Sequence, residues 1–156
     1  MLKVVENPEQ ARGNIRQAYE FVSGTAGAPR VGSLGWDFGG GWSLNTAMLF
    51  PDDLDAAVIV YGQVTSDAEA LRPLDVPLLG LFAANDRSVS PASVREFEQA
   101  LERLLKNYEI HVYPDVDNSF ADPGSNNYNR AAADDAWQRT LDFLNRHLRI
   151  NGSDSP

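Results

Sequence analysis

The chain has 156 residues and no cysteine, and its 22 acidic and 13 basic residues give a net charge of −9. This length fits one domain with a sizeable core, and the lack of cysteine excludes a disulfide framework and a cysteine nucleophile. The acidity argues against nucleic acid or an anionic membrane as a partner, because both need basic side chains to neutralise phosphate. With neither a long apolar run nor a basic-then-apolar leader, the sequence predicts a cytoplasmic protein without a membrane span.

Helical and strand patterns alternate along the chain. Two continuous apolar runs, 56–61 and 77–83, are typical of strands buried on both faces, whereas the alternating run 108–113 predicts a strand nearer the sheet edge. The predicted elements are, in chain order, a helix over 8–24, a strand over 31–35, a helix over 40–49, a strand over 56–61, one short helix within 63–76, a strand over 77–83, a helix starting at Ser90, a strand over 108–113, a loop over 114–130 and a helix over 131–148.

This alternation predicts an α/β fold. We expect a mostly parallel sheet of about four or five strands, with right-handed crossovers and helices on both faces. Residues 1–150 are predicted to form a single domain, and the polar tail 151–156 is expected to be disordered.

The segment 35–40, Gly-Trp-Asp-Phe-Gly-Gly, joins a predicted strand to a predicted helix. It has the form of a nucleophile elbow, in which glycines permit a tight turn that exposes the central side chain. That central residue is Asp37, where a serine or cysteine would be expected. Asp86 and Asn118 follow two later strands, so all three should gather beyond the carboxyl ends of the sheet.

In these segments the chain resembles the dienelactone hydrolases of the α/β-hydrolase superfamily. The family's elbow, Gly-x-Cys-x-Gly-Gly, matches 35–40 except at Asp37. The run 77–82 leading to Asp86 is similar to the strand and acid of the family's triad. The stretch 109–123 is similar to its next strand and Gly-His-x-Phe loop, with Asn118 in place of the histidine.

The resemblance implies a shortened α/β-hydrolase-like three-layer sandwich. It places the nucleophile, acid and histidine positions of the triad at Asp37, Asp86 and Asn118, and the oxyanion-binding N–H at Phe38. An asparagine cannot accept the nucleophile's proton, and loss of a triad member typically costs about 10⁴-fold in rate. The histidines of the chain, His111 and His147, are predicted to lie mid-strand and on the last helix.

We therefore interpret the chain as a dienelactone-hydrolase-like protein with a degenerate triad, which lacks the classical activity and binds a small ligand or a partner. One alternative is a weak or altered hydrolase that uses Asp37 as nucleophile or base. Another is a non-catalytic structural fragment stabilised by dimerisation.

Aromatic side chains around the elbow predict a pocket formed by Trp36, Tyr61 and Phe120. No cofactor or metal is predicted, because the Asp-rich loop after residue 114 lacks the glycine of an EF-hand.

The strand at 31–35 risks being an exposed apolar edge. The run 2–5, Leu-Lys-Val-Val, could add a strand there, or a second subunit could cover it; we expect a homodimer.

Overall fold

Four parallel strands form the centre of the computed structural model, which describes residues 8–149. The strands are β1 (Gly32–Trp36), β2 (Ala56–Val60), β3 (Leu78–Ala83) and β4 (Tyr108–Tyr113). They lie in the order β1-β2-β3-β4, so β1 and β4 are the sheet edges in the described part of the chain. The predicted α/β fold with a mostly parallel sheet is confirmed.

Five α-helices connect and flank the strands within residues 8–149. They are α1 (Pro8–Glu20), α2 (Phe38–Leu49), α3 (Ala68–Leu71), α4 (Pro91–Arg103) and α5 (Arg130–Leu148), and a π-helical turn (Phe21–Thr25) continues α1. The side chains of Ser90 and Asn129 cap α4 and α5 by accepting hydrogen bonds from backbone N–H groups of the first turn, which fixes where these helices begin.

The sheet separates two apolar layers. Ala57 and Ile59 of β2 face a layer that includes α2 and α4, whereas Ala56, Val58 and Val60 face α5. Every residue of β2 and β3 is buried, as their continuous apolar runs predict. Helices therefore cover both faces of the sheet, and the carboxyl ends of the strands remain free to form a site.

β1 pairs only with β2 among the described residues, so its outer edge has no partner strand there. Leu34 packs against the layer of α5 together with Leu144 and Leu148. The predictions for a strand at 2–5 and a disordered tail at 151–156 lie outside the described residues. Within those residues, no helix combines the length and apolar character that crossing a membrane requires.

Several element boundaries differ from the predictions, and one of them is the end of β1 at Trp36 rather than at residue 35. The helix predicted over 40–49 begins already at Phe38, directly after the elbow. The strand predicted over 56–61 ends at Val60, because Tyr61 turns the backbone with a φ of 39°. The helix predicted over 8–24 ends its α-helical part at Glu20.

Candidate functional site

Asp37 stands at a strained turn between β1 and α2. Its backbone has φ 51° and ψ −119°, a conformation that costs a residue with a side chain about 1–3 kcal/mol. Its N–H donates to Val60 O at 2.9 Å, and its carbonyl accepts from the N–H groups of Gly40 and Gly41. The Asp37 side chain is exposed and does not cap α2. The turn thus holds one carboxylate out above the sheet edge, as predicted.

Close backbone packing fixes this turn. A Cβ atom at Gly35 would lie 2.0 Å from Gly39 O, so no other residue fits at position 35 without moving the backbone. A Cβ at Gly40 would lie 2.8 Å from the Cα of Gly62, which brings the start of α2 against the end of β2. A Cβ at Gly39 would meet nothing within 4 Å. Gly35 and Gly40 are therefore required by packing, whereas Gly39 is not.

Asp86 is a buried carboxylate that orients Asn118. Its Oδ1 accepts hydrogen bonds from the backbone N–H groups of Ser88 at 2.7 Å and Val89 at 2.9 Å. Its Oδ2 accepts a hydrogen bond from Asn118 Nδ2 at 2.9 Å. All the acceptor contacts of this carboxylate therefore serve to hold the loop after β3 and the amide of Asn118.

The loop after β4 fixes Asn118 from its other side. Ser119 Oγ donates to Asn118 Oδ1 at 2.7 Å, and Asn127 Nδ2 donates to Asn118 O at 3.0 Å. Ser119 adopts a left-handed backbone with φ 65°. The sequence analysis did not single out Ser119 or Asn127. The signal for them was the density of Asn, Asp and Ser in this loop, which favours local side-chain hydrogen bonds.

A surface cleft of about 370 Å³ opens beside Asp37. The residues that line it are Trp36, Asp37, Tyr61, Ser119, Ala121, Asp122 and Pro123. The predicted pocket residues Trp36 and Tyr61 are among them, but Phe120 is not. Phe120 is fully buried, because its ring packs between those of Tyr61 and Tyr113 at 5.3 and 5.1 Å. It supports the cleft from beneath.

Tyr61 is an ionisable residue of the cleft whose surroundings shift its pKa. Burial, and to a smaller extent the carboxylates of Asp122 and Asp37, raise that pKa to about 12. A phenol with this pKa stays protonated at neutral pH. Tyr61 and both carboxylates line the same cleft.

Neither histidine of the chain belongs to this cleft. His111 Nε2 lies 3.3 Å from Arg139 Nη1 on the β4–α5 side, and the ring of His147 packs at 4.6 Å against Phe143. Burial lowers the pKa of both histidines, and Arg139 beside His111 and Arg146 beside His147 lower it further. An imidazole base is thus absent from the residues that surround Asp37 in the described chain.

Comparison with known proteins identifies the group to which this fold and elbow correspond. The dienelactone hydrolase family matches residues 3–148. The chain belongs to this family. A protein of Saccharolobus solfataricus named "Putative carboxymethylenebutenolidase" is 33% identical over 138 residues, which are 88% of this chain and 52% of that protein. The chain therefore spans about half the length of this dienelactone-hydrolase relative.

Solved structures give the same architecture. A Klebsiella pneumoniae protein described as a "Putative Dienelactone Hydrolase" is 31% identical, with a TM-score of 0.66 over 71% of this chain and 50% of that one. A metagenomic dienelactone-hydrolase-like promiscuous phosphotriesterase is 18% identical, with a TM-score of 0.80 over 96% of this chain and 66% of that one. The second likeness shows the fold alone.

The dienelactone-hydrolase fold brings the three predicted triad positions to the carboxyl ends of β1, β3 and β4. Asp86 and Asn118 are in direct contact, whereas Asp37 makes no hydrogen bond to either of them. The backbone N–H of Phe38, the predicted oxyanion donor, has no acceptor among the described residues. Within residues 8–149, no three carboxylate or imidazole groups are arranged to hold a metal ion. The assignment of triad roles to these residues stays a prediction.

Proposed function

We propose that this protein is a dienelactone-hydrolase-family member that lacks the family's hydrolase chemistry and binds a small molecule in the cleft beside Asp37. The observation that carries the proposal is the contact between Asp86 and Asn118. In a working triad a buried carboxylate holds an imidazole that takes the nucleophile's proton. Here the carboxylate holds an amide, which accepts no proton near neutral pH.

The environment of the amide supports this proposal. Asn118 Nδ2 points to Asp86, and its Oδ1 already accepts the hydroxyl hydrogen of Ser119. Both ends of the amide group are therefore engaged in protein contacts, and neither can take a proton from water near neutral pH. Loss of the base alone costs about 10⁴-fold in a triad hydrolase.

The residue at the elbow supports the same conclusion. A carboxylate is a poor nucleophile towards esters, and attack by Asp37 on an alkyl group would leave an ester whose hydrolysis needs a base to activate water. The residue types at positions 37 and 118 thus affect both the nucleophile and the proton transfer.

Restoring the residue types of the family tests this proposal. Activated esters, lactones and haloalkanes should all be hydrolysed at background rate by the unmodified protein. The double variant Asp37→Cys/Asn118→His should gain ester hydrolysis, because the strained elbow and the buried Asp86 are already in place. The two single variants serve as matched controls and should stay near background, since each lacks either nucleophile or base.

Turnover by the unmodified protein above that of Asp37→Asn would contradict the proposal and favour the alternative of an altered hydrolase based on Asp37. A double variant with no gain would show that features other than these two side chains limit activity. Binding is measured separately, as a rise in melting temperature with a panel of small molecules. If no compound binds, the ligand-binding half of the proposal fails.

We also propose that the protein is a homodimer that covers the strand predicted at 31–35. The outer edge of β1 has no partner strand within residues 8–149, and α5 carries the exposed apolar side chain of Leu141; both observations favour this assembly. Light scattering at micromolar concentration should give twice the mass of the chain, and Leu141→Lys should shift the equilibrium towards the monomer. A monomeric mass for the unmodified protein would contradict the proposal.

A further inference from the structure

The cleft beside Asp37 has a marked chemical bias. It contains two carboxylates, Asp37 and Asp122, and an indole ring, Trp36, which is 43% exposed. No basic side chain lines it among the residues that the structure describes. An anionic ligand would therefore meet repulsion on two sides with no cation to offset it, whereas a cation would be attracted.

Asp37 keeps its carboxylate free for a ligand. Its side chain is exposed, does not cap α2 and forms no ion pair or hydrogen bond within residues 8–149. Asp122 uses Oδ1 to accept a hydrogen bond from the backbone N–H of Gly124 at 2.8 Å, which fixes the side chain and leaves Oδ2 available. Asp37 therefore offers both of its carboxylate oxygens to a ligand, and Asp122 offers one.

Tyr61 provides an independent indication of a ligand. The residue is only 3% exposed, and its hydroxyl has no hydrogen-bond partner among the described residues. No enclosed side-chain polar atom in the described chain lacks a partner, so this hydroxyl reaches the cleft surface. A buried phenol that shares a cleft with two carboxylates and has no partner among the described residues offers its oxygen to a hydrogen-bond donor.

A second pocket of about 210 Å³ adjoins the cleft. The two share Trp36, Ala121 and Pro123, and the second also has apolar side chains such as Val60 and Trp137 in its wall, beside the carboxylate of Asp134. A ligand with a charged head in the first pocket could place an apolar group in the second. The indole of Trp36 stands between them, where it can contact both a cation and a hydrocarbon chain.

We propose that the two pockets together bind an organic ammonium ion that carries an alkyl or aryl group. The ammonium group lies between Asp37 and Asp122 and donates to the oxygen of Tyr61, and its apolar part packs on Trp36. The inference rests on the proposed function, because it names the class of small molecule that the cleft would take.

Isothermal titration calorimetry with three probes of similar shape tests the ligand class. The probes are phenethylammonium, its neutral analogue 2-phenylethanol and the anion 3-phenylpropionate. Phenethylammonium should bind, the alcohol should bind at least about tenfold more weakly, and the anion should not bind. The affinity for the ammonium ion should fall as salt is added, because its partners are partly exposed charges.

Matched variants locate the binding. Asp37→Asn and Asp122→Asn should each weaken phenethylammonium binding by about tenfold while keeping an oxygen in place, so that Gly124 retains its acceptor. Tyr61→Phe should weaken it by a smaller factor. Asp117→Asn is the control, because it removes the same charge from the same loop outside the cleft. Melting temperatures confirm that each variant is folded.

Four outcomes would overturn the inference. Equal or tighter binding of the alcohol or the anion would refute the cationic class while leaving a ligand-binding role intact. Insensitivity to Asp37→Asn and Asp122→Asn would place the ammonium ion elsewhere. At constant ionic strength, magnesium or calcium that binds more tightly than phenethylammonium, and no longer does so in Asp37→Asn, would indicate a metal site instead. No binding of any probe at millimolar concentration would refute it as well. None of these results alters the hydrolysis measurement, which tests the lost chemistry separately.

Discussion

At the residue scale, Asp37 combines an unfavourable backbone with a side chain that makes no stabilising contact in the described structure. Its positive φ is tolerated because Val60 O and the N–H groups of α2 hold the turn on both sides. In an enzyme such strain positions a nucleophile. Here the carboxylate has no partner among the described residues to offset the backbone strain. The strain should therefore lower the free energy of unfolding.

Replacing Asp37 by glycine should therefore stabilise the protein. Relative to Asp37→Ala, which keeps a Cβ in the strained conformation, we expect Asp37→Gly to raise the free energy of unfolding by about 1 kcal/mol. Urea denaturation of the two variants measures this difference. A glycine variant less stable than the alanine variant would show that the turn is not strained.

Asn118 should matter for stability as well as for the site. Asn118→Ala would leave Oδ2 of the buried Asp86 without its donor, and we expect a loss of about 1–3 kcal/mol in the free energy of unfolding. Asn126→Ala, an exposed asparagine on the same loop, should change it by less than about 0.5 kcal/mol. Equal effects of both substitutions in denaturation experiments would contradict this role.

At the scale of elements, the elbow shows how a short motif is enforced by packing. Gly35→Ala forces a Cβ atom to within 2.0 Å of Gly39 O and should cost about 3 kcal/mol or more, or prevent folding. Gly39→Ala places its Cβ in open space at the start of α2 and should be neutral or stabilising by up to about 1 kcal/mol. Thermal unfolding of this pair measures the contrast. A Gly39→Ala variant as unstable as Gly35→Ala would disprove it.

The types and order of the helices and strands could be predicted from the sequence, because apolar runs indicate buried strands and capping residues indicate where helices begin. The buried runs of β2 and β3 and the cap at Ser90 are local signals, and the structure follows them closely. The start of α2 at Phe38 could not be predicted from the sequence, because the three glycines that follow Phe38 disfavour a helix. Its position depends on the contact between Gly40 and Gly62, which is tertiary.

The candidate site was predictable in its positions but not in its contacts. The motif located Asp37, Asp86 and Asn118 beyond the carboxyl ends of their strands. That Phe120 turns into the core, and that Tyr61 ends β2 with an unpaired hydroxyl, depends on how the loop after β4 folds back over the sheet. Loop residues with a positive φ carry no periodic pattern from which such packing can be inferred.

At the scale of the whole molecule, both histidines couple folding to pH. Burial and the neighbouring arginines Arg139 and Arg146 hold the pKa of His111 and His147 below the usual value of 6.5, although Glu109 acts in the opposite direction on both. The unfolded chain therefore binds protons more readily than the folded chain near that pH. Stability should be fully present above about pH 6.5 and decline as the pH falls from there towards 5.

Urea denaturation between about pH 7.5 and 5 tests this linkage. The free energy of unfolding of the unmodified protein should decrease with falling pH, and the double variant His111→Gln/His147→Gln should flatten that decrease. A stability that rises as the pH falls through this range would contradict the assigned direction. The residual slope of the double variant reports the carboxylates, whose titration begins at the lower end of the range.

The most direct test of the central claim is the steady-state hydrolysis of an activated ester by the unmodified protein and by Asp37→Asn, measured side by side. We propose that the strained elbow is retained without its hydrolase chemistry, so the two proteins should give the same rate, indistinguishable from the buffer background. A rate for the unmodified protein that stands above background and disappears in Asp37→Asn would contradict the account and establish Asp37 as a working catalytic group.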